Sequence, residues 1–239
     1  MSLSSVFSEA FYFFRNHLRQ LALLTLPFIV VQLGIQYWLG GQFQAIDQNN
    51  PAFHTSHMIA VMVVLLVFSW FIAALTLFLE WRSQGYSPRN GQVLVGSLKF
   101  VPPLLLAGVF SALLIVAPSM LSAAFGPLWI IGLVLSIYLF ARLAYVNFMV
   151  VTERLTPFEA IKASFRFANG TLVLKTMLVL LVYLPILQFG GLLIKLASAA
   201  GAPLQFVVEV LIAFIGLFVN IALFRLYMVN RKRAEAVQG

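Results

Sequence analysis

The 239-residue sequence contains no cysteine. That absence removes disulfide scaffolds, thiolate zinc sites and cysteine nucleophiles together. Charge is scarce too, at 9% of residues against roughly a quarter in a soluble domain. Acids are scarcest, 7 against 15 Lys and Arg, and no acidic pair on a shared helical face points to hydrolysis. No Gly-x-Ser-x-Gly elbow occurs. The Gly91 to Ser97 stretch has the glycine spacing of a phosphate loop but lacks its lysine and a preceding strand. The reading is therefore non-enzymatic, with no cofactor and no metal. What fills the chain instead is apolar: 62% hydrophobic, mean hydropathy +1.00. A soluble fold of this length cannot hide so much apolar surface.

Six apolar runs are long enough to cross a hydrocarbon core, which needs about 20 helical residues. They are 21–40, 57–79, 100–121, 128–151, 172–194 and 204–229, solid in Leu, Val, Ile, Ala and Phe without the alternation of a β-barrel. All of the 15 Lys and Arg residues except Lys195 fall on one side of this arrangement. The positive-inside rule then places both termini in the cytoplasm. Asp47 is the single charge in the first outer connection. The net charge of +8 reports topology and contact with anionic head groups. Nucleic acid is not expected as a partner, because no soluble domain interleaves basic and aromatic residues. The expected fold is all-α, one integral membrane domain over 1–239.

The segment after the fourth run carries the most local information. Thr156 is a good N-cap, Pro157 suits the first helical position, and Glu159 completes a capping box. Asn169-Gly170 supplies a left-handed stop. Between them Phe158, Ile161, Phe165 and Ala168 share one face and Glu159, Lys162, Arg166 and Asn169 another, which predicts a short interfacial amphipathic helix. A fainter copy follows the second run: Glu80-Trp81-Arg82, then Ser87-Pro88 as cap and first-turn proline, then Ser97-Leu98-Lys99-Phe100. The segment around Ser5, Glu9 and Phe11 to Arg15 offers a third. The pattern predicts three tandem units, each an interfacial helix followed by a helical hairpin.

The stretch Glu153-Arg154-Leu155-Thr156-Pro157-Phe158-Glu159-Ala160, continued by Ser164-Phe165-Arg166-Phe167, resembles the interhelical segment of YciC-like bacterial inner-membrane proteins. The ending Leu223-Phe224-Arg225-Leu226-Tyr227-Met228 is similar to their C-terminal part. The first stretch also resembles the membrane domain attached to some glycerophosphodiester phosphodiesterases. The resemblance implies a bacterial inner membrane and leaves the activity unassigned. Lipids, or a protein of the cell envelope, are the expected partners.

Polarity inside the spans gives the sharpest candidates. A charged side chain near a helix centre costs about 2.5 to 3.5 kcal/mol and needs a partner or a wet cavity. Arg142 in span four is expected near the depth of Asn220 in span six, with Tyr183 and Gln32 near the midplane. Tyr138 and Tyr145 at i−4 and i+3 are placed to cradle the guanidinium. One reading is a midplane site for an anionic group, serving a small transporter; the other is a snorkelling or helix-tying arginine. Lys195 and Glu209 read as an outer-interface salt bridge or a gate. Arg89, Lys99, Lys162, Arg166 and the Arg231-Lys232-Arg233 cluster read as head-group contacts. His54 and His57 read as a solvated loop, His17 as solvated, and Gly108 with Ala112 as a place of close helix approach.

Overall fold

A computed structural model describes residues 2–44 and 55–238, with side chains omitted for 43–44, 128 and 232–238. Among the described residues the chain is almost entirely helical, as expected, with eleven α-helices. They are α1 Leu3–Asn16, α2 Leu18–Gln44, α3 Thr55–Ser83, α4 Asn90–Ser97, α5 Val101–Ala123, α6 Trp129–Leu143, α7 Val146–Thr152, α8 Pro157–Phe167, α9 Thr171–Leu181, α10 Tyr183–Ala199 and α11 Ala202–Gln238. Six continuous stretches are long and apolar enough to cross a membrane: Leu18–Gln42, Thr55–Ser83, Asn90–Ala123, Trp129–Thr152, Thr171–Ala199 and Ala202–Arg231. These are spans one to six; span four keeps the length the sequence suggests, span three gains the whole of α4, and the others are a few residues longer. The architecture is that of a multi-pass membrane protein.

Three spans are interrupted, each for a local reason. Span three passes from α4 to α5 through a tight 3-10 turn, Leu98–Phe100. Pro102 and Pro103 follow, and neither has an N–H to give the carbonyl four residues back. Span five breaks at Val182, three residues before Pro185. Span four breaks between α6 and α7 without a proline. There the Ser164 hydroxyl of α8 donates to the Arg142 carbonyl at 2.7 Å, so a side chain enters the helical ladder at the bend.

The three short helices α1, α4 and α8 all lie at the end of the bundle that carries the basic residues. Each packs on the second span of the unit before it: α4 on span two, α8 on span four, and α1 on span six, which closes the series into a ring. Small side chains make these seams. In α8 and its C-cap the fully buried positions are Ala160, Ser164 and Ala168, spaced by four, so two backbones approach closely. Of the predicted face, Ile161 and Ala168 are buried and Phe165 is half-buried, while Phe158 is exposed and reaches sideways to Phe110 at 4.8 Å between ring centres. The α4 start is also corrected. Arg89 is the cap, its N–H held by the Gln92 side chain at 3.1 Å, while Ser87 accepts from Arg82 at 3.0 Å.

Thr156 and Glu159 behave as expected. The Glu159 carboxylate accepts from the Thr156 N–H at 3.0 Å and its hydroxyl at 2.7 Å. Gly170, at φ +52°, makes the predicted stop.

The core sits in the basic half. Phe71 to Leu79 of α3 are buried without a gap, as are most of Ala141 to Val151 and Phe214 to Tyr227. Packing thins toward the opposite end, where most of 111–121, 129–140 and 184–196 is exposed, and the most apolar stretches of spans five and three are the least buried, at 11% and 17% against 39% in span six. Close contact there is local. A Cβ on Gly132 of α6 would meet the Pro118 carbonyl oxygen at 2.4 Å and Ser122 Oγ at 1.8 Å.

Two predictions follow from this packing and capping. Gly132→Ala forces spans three and four apart and lowers unfolding stability by about 2 kcal/mol, measured by thermal or denaturant melting in detergent. The Glu159 carboxyl is held below its ordinary range by the two Thr156 hydrogen bonds. Its support for the start of α8 is therefore complete above the ordinary Glu value of about 4.3 and disappears as pH falls through the lowered folded value. Hydrogen exchange at the α8 N-terminus, corrected for intrinsic rates, shows this acid loss in the native chain and a flat profile in Glu159→Gln.

Candidate functional site

A guanidinium in an apolar span must spend its donors on something. Arg142 spends two of them at the α8 seam, while its Nε is buried with no hydrogen-bond partner among the described residues. Its Nη1 donates to the Tyr138 hydroxyl at 2.7 Å and its Nη2 to the Phe165 carbonyl at 2.6 Å. The carbon of the guanidinium lies 5.5 Å from the Tyr138 ring centre and 5.4 Å from that of Phe165. Phe165 belongs to the last turn of α8, where carbonyls lack helical partners and the helix dipole favours a cation. Arg142 thus caps one helix while belonging to another.

The other predicted members lie elsewhere. Tyr145 does not face Arg142: it is fully buried, and its hydroxyl shares a hydrogen bond with Thr176 Oγ1 at 2.5 Å. Its ring belongs to an aromatic knot with Phe148, Phe167 and Tyr227, with Phe167 5.1 Å away. Tyr183 packs its ring against Gly216 of α11, and Asn220 is half-buried on the same helix. The break in span four explains the difference. A straight helix carries i−4 and i+3 on one face, but Tyr145 lies in the bend and turns inward.

Lys195 and Glu209 are corrected too. The Glu209 carboxylate accepts from Tyr37 of span one at 2.8 Å and from Gln205 at 2.8 Å, while Lys195 is exposed. This contact ties span one to span six away from the basic end. His57 is not in a loop but buried in the first turn of α3, its ring centre 6.5 Å from that of Trp38; His54 and Asp47 lie outside the described residues. His17 is half-buried, stacked on Phe13 at 4.4 Å and hydrogen-bonded through Nδ1 to the Phe13 carbonyl at 3.0 Å.

Of the head-group candidates, Arg89, Lys99, Lys162 and Arg166 are exposed at the basic end. Arg231 pairs with Glu153 at 3.8 Å. That carboxylate also accepts from the Tyr227 hydroxyl, which lies 3.1 Å from Thr152 Oγ1. The side chains of Lys232 and Arg233 lie outside the described residues.

The basic end also contains a cleft that the sequence does not announce. It encloses about 620 Å³ between α1, the end of span two and span six. Glu9, Tyr12 and His17 line it from α1, Arg82 from α3, and Phe224 and Arg225 from α11. Glu9 is the one carboxylate in the lining, and it is paired with Arg225. Arg82 has neutral partners only: Nη2 donates to the Gln20 side chain and Nη1 to Ser87 at 3.0 Å. Its Nε is buried with no hydrogen-bond partner among the described residues. The lining therefore carries one uncompensated positive charge beside apolar rings, a volume and chemistry suited to a small anionic or amphiphilic ligand. Arg82 was visible in the sequence as a basic helix end, but Glu9 and Arg225, 216 residues apart, carry no local signal of their meeting.

Replacing Arg142 tests the capping assignment. Arg142→Leu leaves the Phe165 carbonyl unpaired, and exchange of the Ile161 to Ala168 amides should accelerate about tenfold, while Arg142→Lys restores part of the protection.

No family model, no curated protein and no solved structure matches this chain.

Proposed function

We propose that the protein is a non-enzymatic integral protein of a bacterial inner membrane that engages anionic lipid head groups at its basic, cytoplasmic end, with both termini on that side. The observation that carries this reading is the cleft between α1, span two and span six, with Arg82 uncompensated in its wall. The exposed Arg89, Lys99, Lys162 and Arg166 surround the same end of the bundle. Each basic group near an anionic leaflet contributes about 1 kcal/mol, so the whole face favours phosphate-bearing lipids. The resemblance to YciC-like proteins agrees in location. An envelope-protein partner on the same face would use the same charges.

A small transporter for an anionic solute or lipid, centred on Arg142, has less support. Its central arginine is committed to Tyr138 and Phe165 at the α8 seam.

The test is native mass spectrometry of the chain with short-chain phosphatidylglycerol and phosphatidylcholine. The anionic lipid is expected to bind in preference, and Arg82→Gln to weaken it about fivefold while leaving phosphatidylcholine binding unchanged. Equal binding of the two lipids by the native chain overturns the reading.

A further inference from the structure

A second cavity, of about 410 Å³, runs between α3 and α5 on a different part of span two from the cleft. Its walls include Leu65 and Ile72 of α3 and Leu104, Gly108 and Ala112 of α5, with Asn147 of α7 at one end. Gly108 and Ala112 stand four apart and read in the sequence as a place where helices touch. The structure uses them differently. A Cβ built on Gly108 would meet nothing within 4 Å, so the small residues form the floor of an open trough.

The trough has a direction. From Leu104 to Val116, both in its lining, α5 rises about 18 Å, close to the roughly 15 Å depth of one leaflet's hydrocarbon. Asn147 lies at the end nearest the basic side, five residues before Thr152 closes span four. Span four is about 36 Å long, so a few ångströms at each end reach the interface, and Asn147 sits just inside the hydrocarbon boundary. From there its amide is about one side-chain length from the ester groups of a glycerolipid in the basic-side leaflet. The Asn147 side chain is half-buried and makes no hydrogen bond among the described residues. An unpaired amide facing hydrocarbon is costly, and methylene groups cannot satisfy it. The remaining polar member, Ser69, already donates to the Leu65 carbonyl at 2.8 Å.

We propose that this groove holds one acyl chain of a glycerolipid from the basic-side leaflet, with the Asn147 amide donating to the chain's ester carbonyl. The apolar trough takes the tail and the amide reads the ester. No charged residue lines the groove, so the head group lies outside it and its charge does not matter. The inference therefore goes beyond the anionic-head-group reading and does not rest on it.

The experiment reconstitutes the full chain in phosphatidylcholine vesicles containing phosphatidylcholine with a diazirine near the end of one acyl chain. After illumination, labelled peptides are mapped by mass spectrometry. Label is expected to concentrate on Leu65 to Ile72 and Leu105 to Val116. Gly108→Leu, which fills the trough, should reduce it about fivefold, and Asn147→Leu about threefold. Ala112→Ile fills the same floor and serves if Gly108→Leu does not fold. Label spread equally over the exposed Leu184 to Leu196 face, or unchanged in a folded groove-filling variant, overturns the proposal. Unchanged label in Asn147→Leu removes the ester contact. Arg82→Gln leaves groove labelling intact; loss of labelling there shows that the two sites are one and overturns the separate groove.

Discussion

The bundle depends on the docking of each short helix onto the second span of the preceding unit. Hydrocarbon offers no partner to a backbone carbonyl left over at a helix end, so every such end near the membrane must find one in the protein. The Trp70 indole of span two donates to the Leu94 carbonyl of α4 at 3.2 Å and to Ser97 at 3.1 Å. Arg142 of span four does the same for Phe165 of α8, with Ser164 returning a hydrogen bond to Arg142. Two unlike residues, an indole and a guanidinium, thus perform one task in successive units. The third seam, α1 on span six, is held by an ion pair between Glu9 and Arg225.

The seams differ in what lies beside them. Next to α8, the space between that helix, span four and span six is filled by Tyr145, Phe148, Phe167 and Tyr227. Next to α1, the corresponding space between that helix, span six and span two is the open cleft. The repeated framework thus has one filled and one open interior. The same economy governs the other end, where packing thins and many large apolar side chains are left unburied by the protein.

Much of this was legible in the sequence, because the signals involved are local. Apolar length marks the spans, the distribution of Lys and Arg marks their ends, and Thr156, Glu159 and Gly170 mark the limits of α8. The buried face of α8 was read correctly at Ile161 and Ala168 but missed at Phe158, Ala160 and Ser164, for a physical reason. In a membrane, lipid is as apolar as Phe158, so hydrophobicity no longer distinguishes a packing face from a lipid face, whereas the small residues Ala160, Ser164 and Ala168 do. That period of four was present and is the signal to read. For Arg142, the Tyr138 partner was legible from its i−4 spacing, but the partner on α8 was not, since it is a carbonyl, which every residue carries. Nor was that of Glu209, 172 residues from Tyr37.

The ring closure has a temporal side. Glu9 and Arg225 lie 216 residues apart, so at synthesis rates of roughly 5 to 20 residues per second the first helix waits about 10 to 40 s for its docking surface to be made. The seams of α4 and α8 face no such delay, because Trp70 and Arg142 precede the helices they hold. Until span six is made, the Val6 and Ala10 side of α1, buried in the finished bundle, has no docking surface, and the last unit completes the seam. The open cleft and the latest contact of the assembly belong to the same seam.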